Sequence, residues 1–257
     1  MAETWIRLLG PPKIESAGTA PPQPKGRKAW AVLAYLALQP DGISRSRTAM
    51  LLFPDAADPL GALRWNLSEL RRTLDGVSIS GDPLRLTLLP PWHCDALELV
   101  GSANGHSLDP RTVDGQLLEG LSFADNAVFD SWLAEQRYRL ENCVQSLLYE
   151  AALAALAAGV PADAVELASL ALRRDAFHAD CTAVLVKALV ALGEHRRARD
   201  EVAKCADLYH RELGLPLPAE VRRALSDSEP VADPELHATV ATVRSYLDAG
   251  SASLSAG

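Results

Sequence analysis

The chain has 257 residues, 48% of them hydrophobic and 5% aromatic, with 25 basic and 33 acidic side chains for a formal net charge of −8. That length fills one large domain or two ordinary ones, and an Ala- and Leu-rich, aromatic-poor composition favours helices over a β-sandwich. No apolar run approaches the roughly 20 residues that span a bilayer, and "MAETWIRLLG" lacks the basic start and apolar core of a secretory signal, so the expectation is a soluble, cytoplasmic protein with no membrane partner.

The charge is unevenly placed. Residues 1–90 carry 11 basic and 8 acidic side chains, a net of +3, against 14 and 25, a net of −11, over residues 91–257. A mildly basic front joined to an acidic back suggests two modules with different partners. Cys94, Cys143, Cys181 and Cys205 form no C-x-x-C pair, and neither His93–Cys94 nor His178–Cys181 has further ligands close in sequence. Buried free thiols are the better reading, and no metal or other cofactor is expected.

In chain order, a short apolar strand around Thr4–Leu9 is followed by "GPPKIESAGTAPPQPKG", a turn or irregular hairpin with a return strand at Lys13–Glu15. "RKAWAVLAYLALQ", Arg27 to Gln39, puts Trp30, Leu33, Ala34 and Ala37 in helical register. Ser44 is a good N-cap for a short helix from Arg45 to Phe53. The next helix has Asp58 at its N-cap, Pro59 at its first position and Gly76 just past its end. "VSIS" and "LRLTLL" then flank a turn at Gly81–Asp82–Pro83. The order of strand pair, three helices and β-hairpin is that of a winged helix-turn-helix preceded by a small sheet.

"LPPWHCDALEL" closes this first domain, residues 1–95, and a loop-rich linker covers 96–115. From 116 to 228 the chain reads as an all-α domain. "SWLAEQRYRLENCV" supplies one helix, and a repeat follows. Gly159 and Gly193 stand 34 apart, as do Ala164 and Ala198, the glycines ending helices and the alanines lying early in the next ones. That period is the tetratricopeptide signature. "GLPLPAEVRRAL" gives a stop and a final helix. Residues 229–257 form a tail that reads as the start of a further helical repeat, which suggests a piece of a longer protein. The fold class is therefore mainly α with a small β component, a winged helix followed by a tetratricopeptide-like helical domain.

No Walker, dinucleotide-binding, nucleophile-elbow or H-E-x-x-H motif occurs. The carboxylates of the back half are spread as on solvated helix faces, so no catalytic residues are assigned and no enzyme is expected.

The informative stretch is "DPLGALRWNLSELRRTLDG", residues 58–76. Leu60, Leu63, Leu67, Leu70 and Leu74 form one stripe for the core. At about 100° per residue, Trp65 and Arg72 lie opposite it, with Gly61, Ser68 and Glu69 beside them, while Arg64 and Arg71 flank it. Taken alone, this is an ordinary amphipathic helix with a basic rim. Between a short helix and a hairpin carrying Arg85 it stands where a recognition helix belongs, and a major groove admits such a helix. The candidate DNA-contacting residues are Arg64, Trp65, Ser68 and Arg72 in the groove, with Arg45, Arg47, Arg71 and Arg85 on phosphates. Asn66 is included, although its angle suits an intramolecular role equally well, and Arg71, on the flank of the stripe, also suits a structural role. Lys25, Arg27 and Lys28 add charge at the start of the first helix.

Over roughly residues 4–226 the chain resembles bacterial regulators of the Streptomyces antibiotic regulatory protein type, which join an OmpR-type winged helix to a bacterial transcriptional activation domain. The resemblance rests on "RLLGPPKI", "RKAWAVLAYLAL", "ISRSRTAMLLFPDA", "ALRWNLSELRRTL", "SWLAEQRYRL", the "AAG" and "ALG" repeats, "LALRRDAFHAD" and "RELGLPLPAEVRRAL". It implies a third helix that reads the major groove and a hairpin on the minor groove or backbone. It further implies an activator that binds direct repeats in double-stranded promoter DNA, dimerises, and contacts the σ factor of RNA polymerase. Two departures stand out: Ala176 replaces the usual proline after the first repeat, and a proline-rich insertion, expected to enlarge or distort the sheet, lies between the first strands. Two other readings fit the residues, a tetratricopeptide-type protein-interaction scaffold and the regulatory head of a larger signalling ATPase or cyclase.

Overall fold

The computed structural model describes residues 3–18, 20–101, 109–113 and 115–226, which fall in two compact units, Met1–Leu148 and Tyr149–Gly257. The tail expected over 229–257 and much of the linker lie outside the described residues.

In the first unit, β1 (Thr4–Arg7) pairs antiparallel with β2 (Lys13–Ser16), setting Ile6 directly opposite Ile14. Both are buried, so the register is pinned by the apolar face. The proline-rich segment neither enlarges nor distorts this pair. Gln23 instead accepts from the Ile14 N–H at 2.7 Å and donates to the Ile14 carbonyl at 2.9 Å, satisfying the outer edge of β2 as a further strand would.

The first long helix, α1 (Arg27–Ala37), is buried at every position from Ala29 to Ala37, a wider burial than one stripe. Packing explains it: α1 touches α2 (Arg45–Leu52), α3 (Pro59–Thr73) and the hairpin, and Tyr35 meets Trp132 edge-on at 4.9 Å. The caps read from the sequence are in place. Ser44 Oγ accepts from the Arg47 N–H and an Asp58 carboxylate oxygen from the Gly61 N–H. Gly76, at φ +96°, turns the chain out of α3. The hairpin is β3 (Val77–Ser80) against β4 (Arg85–Leu88), with Ser80 facing Arg85.

The sequence showed no third strand for the N-terminal sheet, yet β5 (Trp92–Cys94) lies parallel to β1, giving the order β2-β1-β5. A parallel partner needs a long crossover, which three helices and a hairpin supply. At its end Asp95 opens α4 (Asp95–Gly101), a helix inside the expected linker. Its buried carboxylate accepts from the N–H groups of Leu8, Leu9 and Ala96 at 2.6–3.1 Å. Burial pushes this carboxyl above the ordinary aspartate range, and the three donors pull it only partly back.

The first unit also runs past the domain end expected at residue 95. Leu118 N–H donates to the Leu8 carbonyl, Gly10 N–H to that of Gln116, and the Asn126 side-chain amide to that of Leu51. The division falls within α5 (Ala127–Ala157), a single continuous helix where two were expected. Nothing between Cys143 and Leu147 breaks it, since that run holds neither glycine nor proline.

In the second unit α6 (Pro161–Arg174) packs on α7 (Ala179–Ala191), and α7 in turn on α8 (His195–Leu213) and α9 (Ala219–Ser226). The 34-residue period is structural. Gly159 and Gly193 take φ +75° and +77° after their helices, and Ala164 and Ala198 are fully buried, where a larger side chain would hold the helices apart. Ala176 leaves the start of α7 intact because the His178 ring accepts from the Cys181 N–H as its cap. The fold is mainly α, a winged helix followed by a helical domain. Among the described residues no helix is long and apolar enough to cross a membrane.

Candidate nucleic-acid interface

The inward face of α3 consists of Leu63, Asn66, Leu67, Glu69, Leu70 and Thr73. Leu60, expected in the core stripe, is exposed. The buried arc is therefore rotated by about half a turn-step from the leucine stripe, at about 100° per residue, because Asn66, Glu69 and Thr73 are drawn in beside the leucines. This places Ser68 at the middle of the outward face, with Arg64 on one flank and Trp65 and Arg72 on the other. The tryptophan is 62% exposed, unusual for so large an apolar surface with nothing covering it.

These four residues share one exposed face of α3. Ser68 Oγ donates to the Arg64 carbonyl at 2.9 Å. The Arg64 guanidinium lies 3.4 Å from the Asp58 cap carboxylate, both exposed and so weakly held. Arg72 is gripped more firmly. Its side chain is 70% exposed, but Nη2 sits 2.5 Å from Oε2 of Glu69, itself only 8% exposed. The other Glu69 oxygen is buried without a hydrogen-bond partner. Reading Glu69 as an outer-face residue misplaced it, and the signal that would have found the pair is the i,i+3 spacing of Glu69 and Arg72.

Other candidates are turned to internal use. Asn66 is 5% exposed and its amide donates to the Ala62 carbonyl at 2.9 Å, which withdraws it from the groove-facing set. Arg71 directs Nε and Nη2 at the Ile79 carbonyl, at 2.9 and 2.6 Å, rather than outward to a phosphate. Arg45 donates from Nε to the Gly81 carbonyl at 3.0 Å. Arg47 and Arg85 remain exposed, and neither guanidinium has a hydrogen-bond or ion-pair partner among the described residues. Beside the first helix, Arg27 is spent on the Ser122 carbonyl and Asp125. Lys28 donates to the Leu52 carbonyl, and burial holds its ammonium below the usual lysine range. Lys25 has no hydrogen-bond or ion-pair partner among the described residues.

His93 pairs with Glu98 at 2.7 Å and stacks on Trp5; among the described residues no group of three or more His, Cys, Asp or Glu side chains is placed to hold a metal.

The architecture defined by these elements is that of a winged-helix protein with an appended helical domain. It is similar to EmbR of Mycobacterium tuberculosis, solved in complex with a low affinity phosphopeptide, with a TM-score of 0.62 and 18% sequence identity over 96% of this chain and 72% of that one. At that identity the likeness is one of fold. No protein-family model and no curated protein matches the chain.

Proposed function

We propose that the chain is a sequence-specific DNA-binding transcriptional regulator and not an enzyme, acting as an activator at promoters with direct repeats. The observation that carries this reading is the outward face of α3, where Arg64, Trp65, Ser68 and Arg72 lie together beside a two-stranded wing. An arginine held in a fixed pose by a carboxylate presents its remaining N–H groups as a preset fork, suited to guanine or phosphate. Trp65 supplies apolar surface for a sugar or a thymine methyl. Arg47 and Arg85 are the remaining cations for phosphates on either side. The helical unit serves in this reading as the partner-binding part, for a second copy and for the σ factor of RNA polymerase, in the cytoplasm.

The test is binding of the full chain to its own upstream DNA at two salt concentrations. Arg72→Ala and Trp65→Ala are each expected to weaken binding, and Arg85→Ala, at a phosphate-facing position, to lower the salt slope by about one. Unchanged binding by both Arg72→Ala and Trp65→Ala would remove the groove assignment. Weak, sequence-blind binding by the unsubstituted chain would instead favour a protein-interaction scaffold built on the repeats.

A further inference from the structure

We infer that Arg71 is a positioning residue that locks the wing to the recognition helix, with Arg45 as a second tie at the hairpin turn. The inference rests on the DNA-binding reading of α3 and the hairpin. It reverses the phosphate-contacting role that their charge and location suggest.

A two-stranded hairpin is marginal by itself, and β3–β4 forms a sheet of just two strands among the described residues. Besides the packing of β4 on α1 and of β3 on α3, polar ties at three places set its orientation. On the β3 side, the Arg71 fork closes on the Ile79 carbonyl from the last turn of α3. At the turn, Arg45 contributes two bonds from the start of α2, its backbone N–H to an Asp82 carboxylate oxygen at 3.2 Å and its Nε to the Gly81 carbonyl. At the start of β4, Ile43 and Leu84 exchange backbone bonds of 3.0 and 2.7 Å. Gly42 makes this approach possible: at φ +81°, a Cβ there would stand 2.9 Å from the Leu84 carbonyl oxygen and 2.8 Å from Arg85 Cγ.

The ties from Arg71 and Arg45 run from the two helices of the helix-turn-helix to the wing. Together they fix the separation between the outward face of α3 and Arg85 on β4. A helix and a wing that must meet adjacent stretches of one duplex gain affinity when that separation is preset, because little ordering remains at binding. Arg71 contributes here through geometry. Two N–H groups in one plane are needed to hold one carbonyl, and a lysine ammonium at that position cannot reproduce the fork.

This separates the two roles experimentally. A phosphate contact is largely kept by lysine and its loss lowers the salt slope by about one. A clamp is lost in both Arg71→Lys and Arg71→Ala. The full chain and these variants, with Arg47→Ala as a comparator, would be titrated with a duplex selected by the unsubstituted protein from random DNA. Amide exchange over Val77–Leu88 would be followed without DNA. The expected result is a loss of about tenfold in affinity in both Arg71 variants, an unchanged slope in Arg71→Lys, and faster exchange across the hairpin. Arg47→Ala should lower the slope and leave hairpin exchange as it is. Near-normal affinity in Arg71→Lys, or unaltered exchange in both Arg71 variants, would overturn the clamp. If the unsubstituted chain selects no sequence, the regulatory reading fails and the positioning role with it; exchange then reports separately whether the clamp holds the hairpin.

Discussion

Six arginines around the candidate interface divide by what their guanidinium groups touch. Arg45 and Arg71 hold backbone carbonyls of the hairpin, Arg72 and Arg64 lie against carboxylates, and Arg47 and Arg85 point to solvent. Residue type could not separate them, because a guanidinium reaches several ångströms from its Cα and takes whichever acceptor the fold brings near. Asp95 shows the same dependence on distant partners, accepting from Leu8 and Leu9, more than 80 residues away in the chain. Asp95→Ala strips the acceptors from three buried N–H groups, and a loss of about 1–3 kcal/mol in urea unfolding is expected. The raised pKa gives the effect a pH dependence. Above the ordinary value of 3.8 the folded state binds the proton more readily than the unfolded chain does, so this side chain's contribution falls as pH rises through its folded pKa. The difference between Asp95→Ala and the unsubstituted protein should therefore be largest below about pH 3.8 and shrink as pH rises above it.

At the scale of elements, local signals did well where they act locally. The Asp58 cap, Pro59 and the Gly76 stop bound α3 as the sequence indicated, since capping needs only atoms within one turn. Gly76 has a second reason to be glycine: a Cβ there would stand 2.6 Å from Trp92 Nε1 at the start of β5. Gly76→Ala combines a left-handed backbone with that clash and is expected to cost about 1–3 kcal/mol, seen as a lower urea midpoint at unchanged m. The rotational setting of α3 was less legible. Five leucines gave a stripe, but Asn66, Glu69 and Thr73 share the buried face, where the Asn66 amide finds a partner in the Ala62 carbonyl. β5 escaped notice because three residues with proline before them carry no periodicity to read.

For the whole molecule, the boundary between units follows from packing. Phe123 and Phe129 are fully buried and meet edge-on at 4.8 Å, and Trp132 stacks on Phe129 while meeting Tyr35 of α1. Residues beyond 95 thus complete the core of the first unit. A fragment of residues 1–148 is expected to unfold cooperatively in urea, whereas a fragment of residues 1–95, stripped of these rings and of the partners of Leu8 and Gly10, should show no cooperative transition. A sharp transition in the shorter fragment would place the boundary back at 95.

Composition, helix caps and the 34-residue period were sufficient by themselves to establish a mainly helical chain with a winged helix in front and tetratricopeptide-like pairs behind, because caps, turns and amphipathic stripes depend on neighbours within a few residues. Only the tertiary structure decided which arginines remain free, how α3 is rotated against its core, and where the first unit ends. Each of those depends on a partner brought from far along the chain, such as the Ile79 carbonyl for Arg71 or Trp132 for Tyr35.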